Sequence, residues 1–75
     1  MPLRPLPYRE IKRRLEADGF GFGFEGQKGS HAKFSRMDFT GKRIVMVPNH
    51  REVAVGTIRS IILQAGMTVV AFEQL

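Results

Sequence analysis

Only two histidines occur in this 75-residue chain. One of them, His31, lies in the run Gln27-Lys28-Gly29-Ser30-His31-Ala32-Lys33-Phe34, with a lysine on either side. An unperturbed imidazole titrates near pH ~6.5, so it can accept or release a proton at neutral pH. Lysines at positions 28 and 33 would hold a phosphate within its reach. These residue types suit acid–base chemistry on a phosphate ester. They also suit an ordinary solvated strand, and composition alone does not choose between the two.

Charge narrows the partner. Twelve Lys+Arg against seven Asp+Glu give a formal net charge of +5, the footprint of a domain that meets a polyanion, most often nucleic acid. The basic residues recur from Arg4 to Arg59, so they belong to a folded surface rather than to a tail. With no cysteine, disulfides, thiolate catalysis and cysteine-ligated zinc are excluded. Two histidines and scattered carboxylates make a poor metal cage, so neither metal nor other cofactor is expected. The start, Met1 to Pro7, has no apolar core of a signal peptide, and no apolar run is long enough to span a membrane. A soluble cytoplasmic protein is the expectation. Seventy-five residues make one domain over 1–75, burying roughly 60% of its unfolded surface.

The elements that must position His31 follow from periodicity. Pro2, Pro5 and Pro7 delay any helix until Pro7, where a proline at the first turn is tolerated. Tyr8, Ile11 and Leu15 then recur at helical spacing, predicting an amphipathic helix over about 8–18 with Gly19 as its cap. Gly19-Phe20-Gly21-Phe22-Gly23-Phe24 alternates strictly, predicting a strand with all three phenylalanines on one face, as core or as a base-stacking platform. Glu25 to Gly29 reads as a turn. Ser30 to Arg36 reads as a second strand, with His31, Lys33 and Ser35 on one face and Ser30, Ala32 and Phe34 on the other. His31 and Lys33 would lie about 6–7 Å apart along it. After a loop at 37–42, Arg43 to Val47 forms a third strand, ended by Pro48.

That third strand is apolar on both faces, with Val45 and Val47 on one and Ile44 and Met46 on the other. A sheet covered on one side needs a single apolar face, so the surplus points to a partner chain or to a small dimer. Gly56-Thr57 opens a second helix to about Ala65, with Ile58, Ile61, Ile62 and Ala65 inward and Gly66 as cap. Its N-terminus, near Arg51 and Arg59, could hold a phosphate. Thr68 caps a last short turn. The order is α-β-β-β-α with a short final helix, an α+β fold in which a three-stranded antiparallel sheet carries both main helices on one face.

The chain resembles the HicA toxins, small ribonucleases of bacterial toxin–antitoxin pairs. The likeness runs through Leu15-Glu-Ala-Asp-Gly-Phe20, Gln27-Lys28-Gly29-Ser30-His31, Val47-Pro48-Asn49-His50 and Gly56-Thr57-Ile58-Arg59-Ser60-Ile61-Ile62-Leu63-Gln64-Ala65-Gly66, covering residues 9–75 in order. It implies a fold like the double-stranded-RNA-binding domain. It further implies metal-free cleavage of mRNA, which would inhibit translation, with His31 as the catalytic residue. The implied partner is a HicB-like antitoxin that covers the histidine, in a possible higher-order complex. The chain departs from the family pattern in two places. A second Gly-Phe pair lengthens the first strand by an even insertion, which keeps His31 on its face. Gly26 stands where an arginine is common, removing one phosphate contact.

Ribonuclease chemistry needs little more than such a site. The ribose 2′-OH is the nucleophile, so the protein must remove its proton, neutralise the phosphate and protonate the leaving oxygen. A placed acid or base contributes roughly 10²–10⁴-fold, and stabilisation of the developing charge adds a comparable factor. His31 takes the acid or base role, with Lys28 and Lys33 as phosphate clamps and Ser30 as a hydrogen-bond donor. Arg51 and Arg59 are further RNA contacts, and His50 is the only other imidazole available. Two other classes of function fit the same residues. One is a non-catalytic RNA-binding module, and the other is an interaction protein whose basic surface meets an acidic partner.

Overall fold

Residues 3–17 and 20–75 are described by a computed structural model. Helix α1 (Tyr8–Glu16) leads into strands β1 (Gly23–Lys28), β2 (His31–Asp38) and β3 (Gly41–Pro48), then helices α2 (Val55–Ala65) and α3 (Val69–Glu73). The strands lie in chain order, β1-β2-β3, and both pairings are antiparallel. This is the α+β architecture that the periodicity predicts.

The alternation in β2 and β3 sorts the sheet into two faces. Ala32 and Phe34 pair with Val47 and Val45, and all four are fully buried. Against them pack Ile11 and Leu15 of α1, Ile58, Ile61, Ile62 and Ala65 of α2, and Phe72 of α3. The helical stripes read from spacing are therefore the ones buried. The opposite face carries His31, Lys33 and Ser35 beside Ile44 and Met46, the last two left 43% and 38% exposed. Gly66 caps α2 by donating to the carbonyls of Ile62 and Leu63. Thr68 caps α3 through its hydroxyl, which accepts from the Ala71 N–H. Gly19, expected to cap α1, and Asp18 lie outside the described residues.

The glycine–phenylalanine repeat corrects the sequence expectation. β1 starts at Gly23 and runs through the residues read as a turn, ending at Lys28. Gly21 sits at φ 62, a left-handed conformation no strand contains. The chain here folds back on the end of α1. Phe20 and Gly21 donate their N–H groups to the Ala17 carbonyl, and Phe22 donates to that of Leu15. Arg36 holds the same segment from the sheet: its guanidinium donates to the Phe20 carbonyl at 2.9 Å and lies over the Phe22 ring at 5.1 Å. The three phenylalanines consequently differ. Phe22 is buried, Phe20 is half-buried, and Phe24 is 47% exposed, meeting Phe34 edge-on at 5.6 Å. Register shifts between Phe24 and Gly26, so Glu25 is the extra residue of a β-bulge. Beyond it the pairing is regular to Lys28↔His31.

Helix α1 ends at Glu16, short of the expected 18, with Ala17 already extended at ψ 148, and boundaries differ elsewhere too. The loop expected at 37–42 contracts to Phe39-Thr40, because β2 and β3 extend to pair Asp38 with Gly41. In the connection after β3, Val53 is buried and exchanges backbone hydrogen bonds with Leu6 at 2.7 and 3.2 Å. This isolated bridge brings the proline-rich start against the core.

Candidate RNA-cleavage site

The local structure of Lys28-Gly29-Ser30-His31 explains its composition. Lys28 and His31 are paired residues of β1 and β2, so only Gly29 and Ser30 make the turn. A two-residue hairpin loop that matches the twist of its strands needs φ > 0 at its first central position, which glycine tolerates. Gly29 has φ 60 and Ser30 does not take a positive φ, the pattern of a type II′ turn. Side chains of directly paired residues stand about 4.5–5.5 Å apart at Cβ. The turn thus brings a lysine beside the imidazole, although the two are three positions apart in the chain.

Two polar residues from flanking motifs fix the turn. The Gln27 amide donates to the Gly29 carbonyl at 3.0 Å. Asn49 donates its side-chain amide to the Gln27 oxygen at 3.1 Å and its backbone N–H to the Ser30 carbonyl at 2.6 Å. Periodicity and charge assign neither residue a role. Their place in Gln-Lys-Gly-Ser-His and Val-Pro-Asn-His was the available signal.

His31 is exposed and opens β2, with Pro48 of β3 on its other side. It stands on the rim of two grooves. One, of about 290 Å³, is lined by Gly26, Gln27, Lys28, Lys33 and Met46 besides His31. The other, of about 360 Å³, passes from His31, Met46 and Pro48 to Gly56, Thr57, Ser60, Ile61 and Gln64 of α2. Helix α2 is held there by the β3 edge. The Gln64 side-chain oxygen accepts the Met46 N–H at 3.2 Å. Arg43 donates to the Gln64 carbonyl at 3.3 Å while pairing with Asp38 at 3.1 Å. The imidazole therefore has lysines on one side and helix-borne hydroxyls on the other. Met46, Thr57, Ser60 and Gln64 were not foreseen as site residues, because nothing in the sequence says which strand edge α2 lies along.

The cations around His31 are not equivalent. Lys28 is exposed and has no carboxylate partner among the described residues. Lys33 lies 3.7 Å from Glu25, whose other oxygen is 3.1 Å from Lys42. The Ser35 hydroxyl also donates to Glu25. That hydrogen bond first, and Lys42 next, hold the Glu25 carboxyl below its ordinary pKa. Glu25 thus stays ionised and shares the charge of Lys33. Ser30 is an exposed turn residue beside His31.

The remaining predicted residues lie elsewhere. His50 and Arg51 line a separate groove with Pro7, Tyr8, Arg9 and Asn49, so no second imidazole accompanies His31. Arg59 is exposed on α2 but lines neither His31 groove. Of the phosphate site expected from Arg51, Arg59 and the start of α2, Arg51 lines the groove at His50, whereas Gly56 and Thr57 of α2 line the groove at His31. Among the described residues no three of His, Cys, Asp and Glu come together to hold a metal, and no helix is long and apolar enough to cross a membrane.

Compared with known families, residues 8–67 match the family described as the HicA toxin of bacterial toxin–antitoxin pairs. No individual curated protein matches the chain.

Proposed function

Given that the chain belongs to the HicA toxin family, we propose that it is a metal-independent endoribonuclease that cleaves mRNA and so stops translation, with His31 as its general acid or base. The observation that carries this reading is the exposed imidazole at the head of β2, held opposite Lys28 by the Gly29-Ser30 turn. A ribose-phosphate laid across the rim would put its phosphate in the lysine groove and the adjoining sugar toward Thr57 and Ser60. His31 takes the 2′-OH proton as that oxygen attacks phosphorus, or gives a proton to the departing 5′-oxygen. The P–O5′ bond breaks, leaving a 2′,3′-cyclic phosphate on one fragment and a 5′-hydroxyl on the other. Lys28, with Lys33 once RNA competes with Glu25, neutralises the phosphate, and Ser30 donates a hydrogen bond. The inhibitory partner is a HicB-like antitoxin covering this rim, and the setting is the cytoplasm.

A single imidazole at the rim also favours a second reading, a non-catalytic RNA-binding module, because proton transfer at both oxygens would ask two roles of one group. The two are separated by incubating purified protein with RNA in EDTA and analysing the fragment ends. Cyclic phosphate ends are expected, and His31→Ala should lower the rate by roughly 10²-fold or more. As a surface substitution it should change stability by no more than about 0.5 kcal/mol. Intact RNA with wild-type protein, or equal cleavage by His31→Ala, would sink the nuclease assignment. Cleavage that stops in EDTA would refute metal independence.

A further inference from the structure

The groove of about 670 Å³ lined by Pro7, Tyr8, Arg9, Asn49, His50 and Arg51 has no part in the chemistry at His31. Its charge sets it apart. The cations of the outer face of α1 are matched by their own carboxylates: Lys12 pairs with Glu16, and Arg13 and Arg14 share Glu10. On the sheet Lys33 and Lys42 are matched by Glu25 and Arg43 by Asp38, leaving Lys28 and Arg36 without a carboxylate among the described residues. Arg9 and Arg51 are both exposed, and neither has a carboxylate partner among the described residues. Two uncompensated guanidinium groups at one depression repel each other and attract an anion. Guanidinium also suits the bidentate geometry of a phosphate.

The groove is an assembled one. The Tyr8 N–H donates to the His50 carbonyl at 3.0 Å, which joins the start of α1 to the connection after β3. The Tyr8 ring is half-buried and anchored against Phe34, with centroids 6.4 Å apart. It supplies an aromatic wall next to the arginines, the combination that single-stranded nucleic acid uses for stacking and backbone contact. Asn49 belongs to both regions, since it lines this groove and ties the turn that carries His31. His50 is at most about 7 Å of chain beyond Pro48, and Pro48 is about 5 Å from its strand partner His31. A strand leaving the cleavage point needs only a few nucleotides to reach it.

We propose that this groove is a second subsite for single-stranded RNA, taking a phosphate between Arg9 and Arg51 and a base against Tyr8, a few nucleotides from the bond held at His31. The proposal rests on the ribonuclease reading for its polarity around His31, but its test does not need cleavage. In the His31→Ala background, fluorescence anisotropy compares a labelled dinucleotide with an eight-nucleotide RNA at several salt concentrations. The longer RNA binds more tightly to the parent. In Arg9→Ser/Arg51→Ser that advantage falls about tenfold, and the salt slope for the long RNA drops by about 1.4, two contacts at about 0.7 each. Arg9→Lys/Arg51→Lys keeps the slope, which separates lost charge from a damaged fold. A long-RNA advantage and slope that survive the serine substitutions overturn the proposal. So does a loss confined to binding of the antitoxin, which would make the groove a protein contact. Absent cleavage by wild-type protein, together with the predicted loss in the serine variant, leaves the subsite standing and removes only the nuclease reading.

Discussion

Replacing Gly29 with alanine tests the turn on which the site depends. At φ 60 an L-residue bears the left-handed penalty, about 1–2 kcal/mol. A Cβ built there meets nothing within 4 Å, so no steric term adds to it and the whole cost is backbone. A 75-residue domain has about 4–11 kcal/mol in all, so Gly29→Ala stays largely folded. Its melting temperature should fall by about 4–8 °C for each kcal/mol lost. The diagnostic comparison is D-alanine at the same position, introduced by chemical synthesis. Its mirror-image preference suits a positive φ, and it should melt at or above the parent. Urea titration of the three proteins gives the free energies, and cleavage of an RNA oligomer gives the consequence at His31. The L-alanine protein should lose more activity than its unfolded fraction explains, because a rearranged turn moves Lys28 away from the imidazole. Equal stability of the L- and D-alanine proteins would refute the turn geometry and, with it, the reason given for the glycine.

Other expectations can be checked on the same footing. Phe34→Ala, at a fully buried ring, should cost about 3–5 kcal/mol, against about 1 kcal/mol for the half-exposed Phe24 packed edge-on against it; urea midpoints of the two variants decide this, and equal losses would contradict the difference in burial between the two paired rings. The Glu10 carboxyl is held at about 2 by hydrogen bonds from Arg13 and Arg14, and Asp38 at about 2 by Thr40 and then Arg43. Both folded values lie below the unfolded ones, so their stabilisation is present at neutral pH and is lost as the pH falls from about 4.5 toward 2. Glu10→Gln and Asp38→Asn should each flatten the stability–pH curve in that window, and a parent curve already flat there would refute the ion pairing. Glu25→Gln should free Lys33 and Lys42 and tighten RNA binding about threefold at low salt, the effect of one unit charge about 6 Å away in water; unchanged or weaker binding by anisotropy would show that Glu25 does not compete with phosphate.

The two longer helices were legible because each presents one apolar stripe at helical spacing, and Ile58, Ile61, Ile62 and Ala65 are all buried where that stripe predicts. The faces of β2 were legible for the same reason: Ala32 and Phe34 alternate with His31 and Lys33, and only one set is apolar. The glycine–phenylalanine repeat misled because period-two alternation reports side-chain direction only if the backbone is extended. It says nothing of Gly21, whose φ is set by hydrogen bonds back to α1 and by Arg36 across the sheet. His31 and Lys28 could be named from composition, but their pairing required knowing that the turn spans only Gly29 and Ser30. The groove that Arg51 shares with Tyr8 and Arg9 was not legible, since the bridge between Leu6 and Val53 is a long-range contact with no periodic signature. Gln27, Asn49 and Gln64 act through single polar bonds between distant segments, a kind of contact hydropathy patterns do not register.

The Gln64 amide does more than brace a helix. By accepting the Met46 N–H it occupies a rung on the outer margin of β3 that an incoming chain would use for templated growth. On the far margin, the bulge at Glu25 breaks the straight run that ordered stacking requires. Sheet-to-sheet polymerisation would therefore have to strip Gln64 from one side or accommodate a pucker on the other. In a protein that leaves Ile44 and Met46 half bare, both features work against strand-by-strand joining of copies.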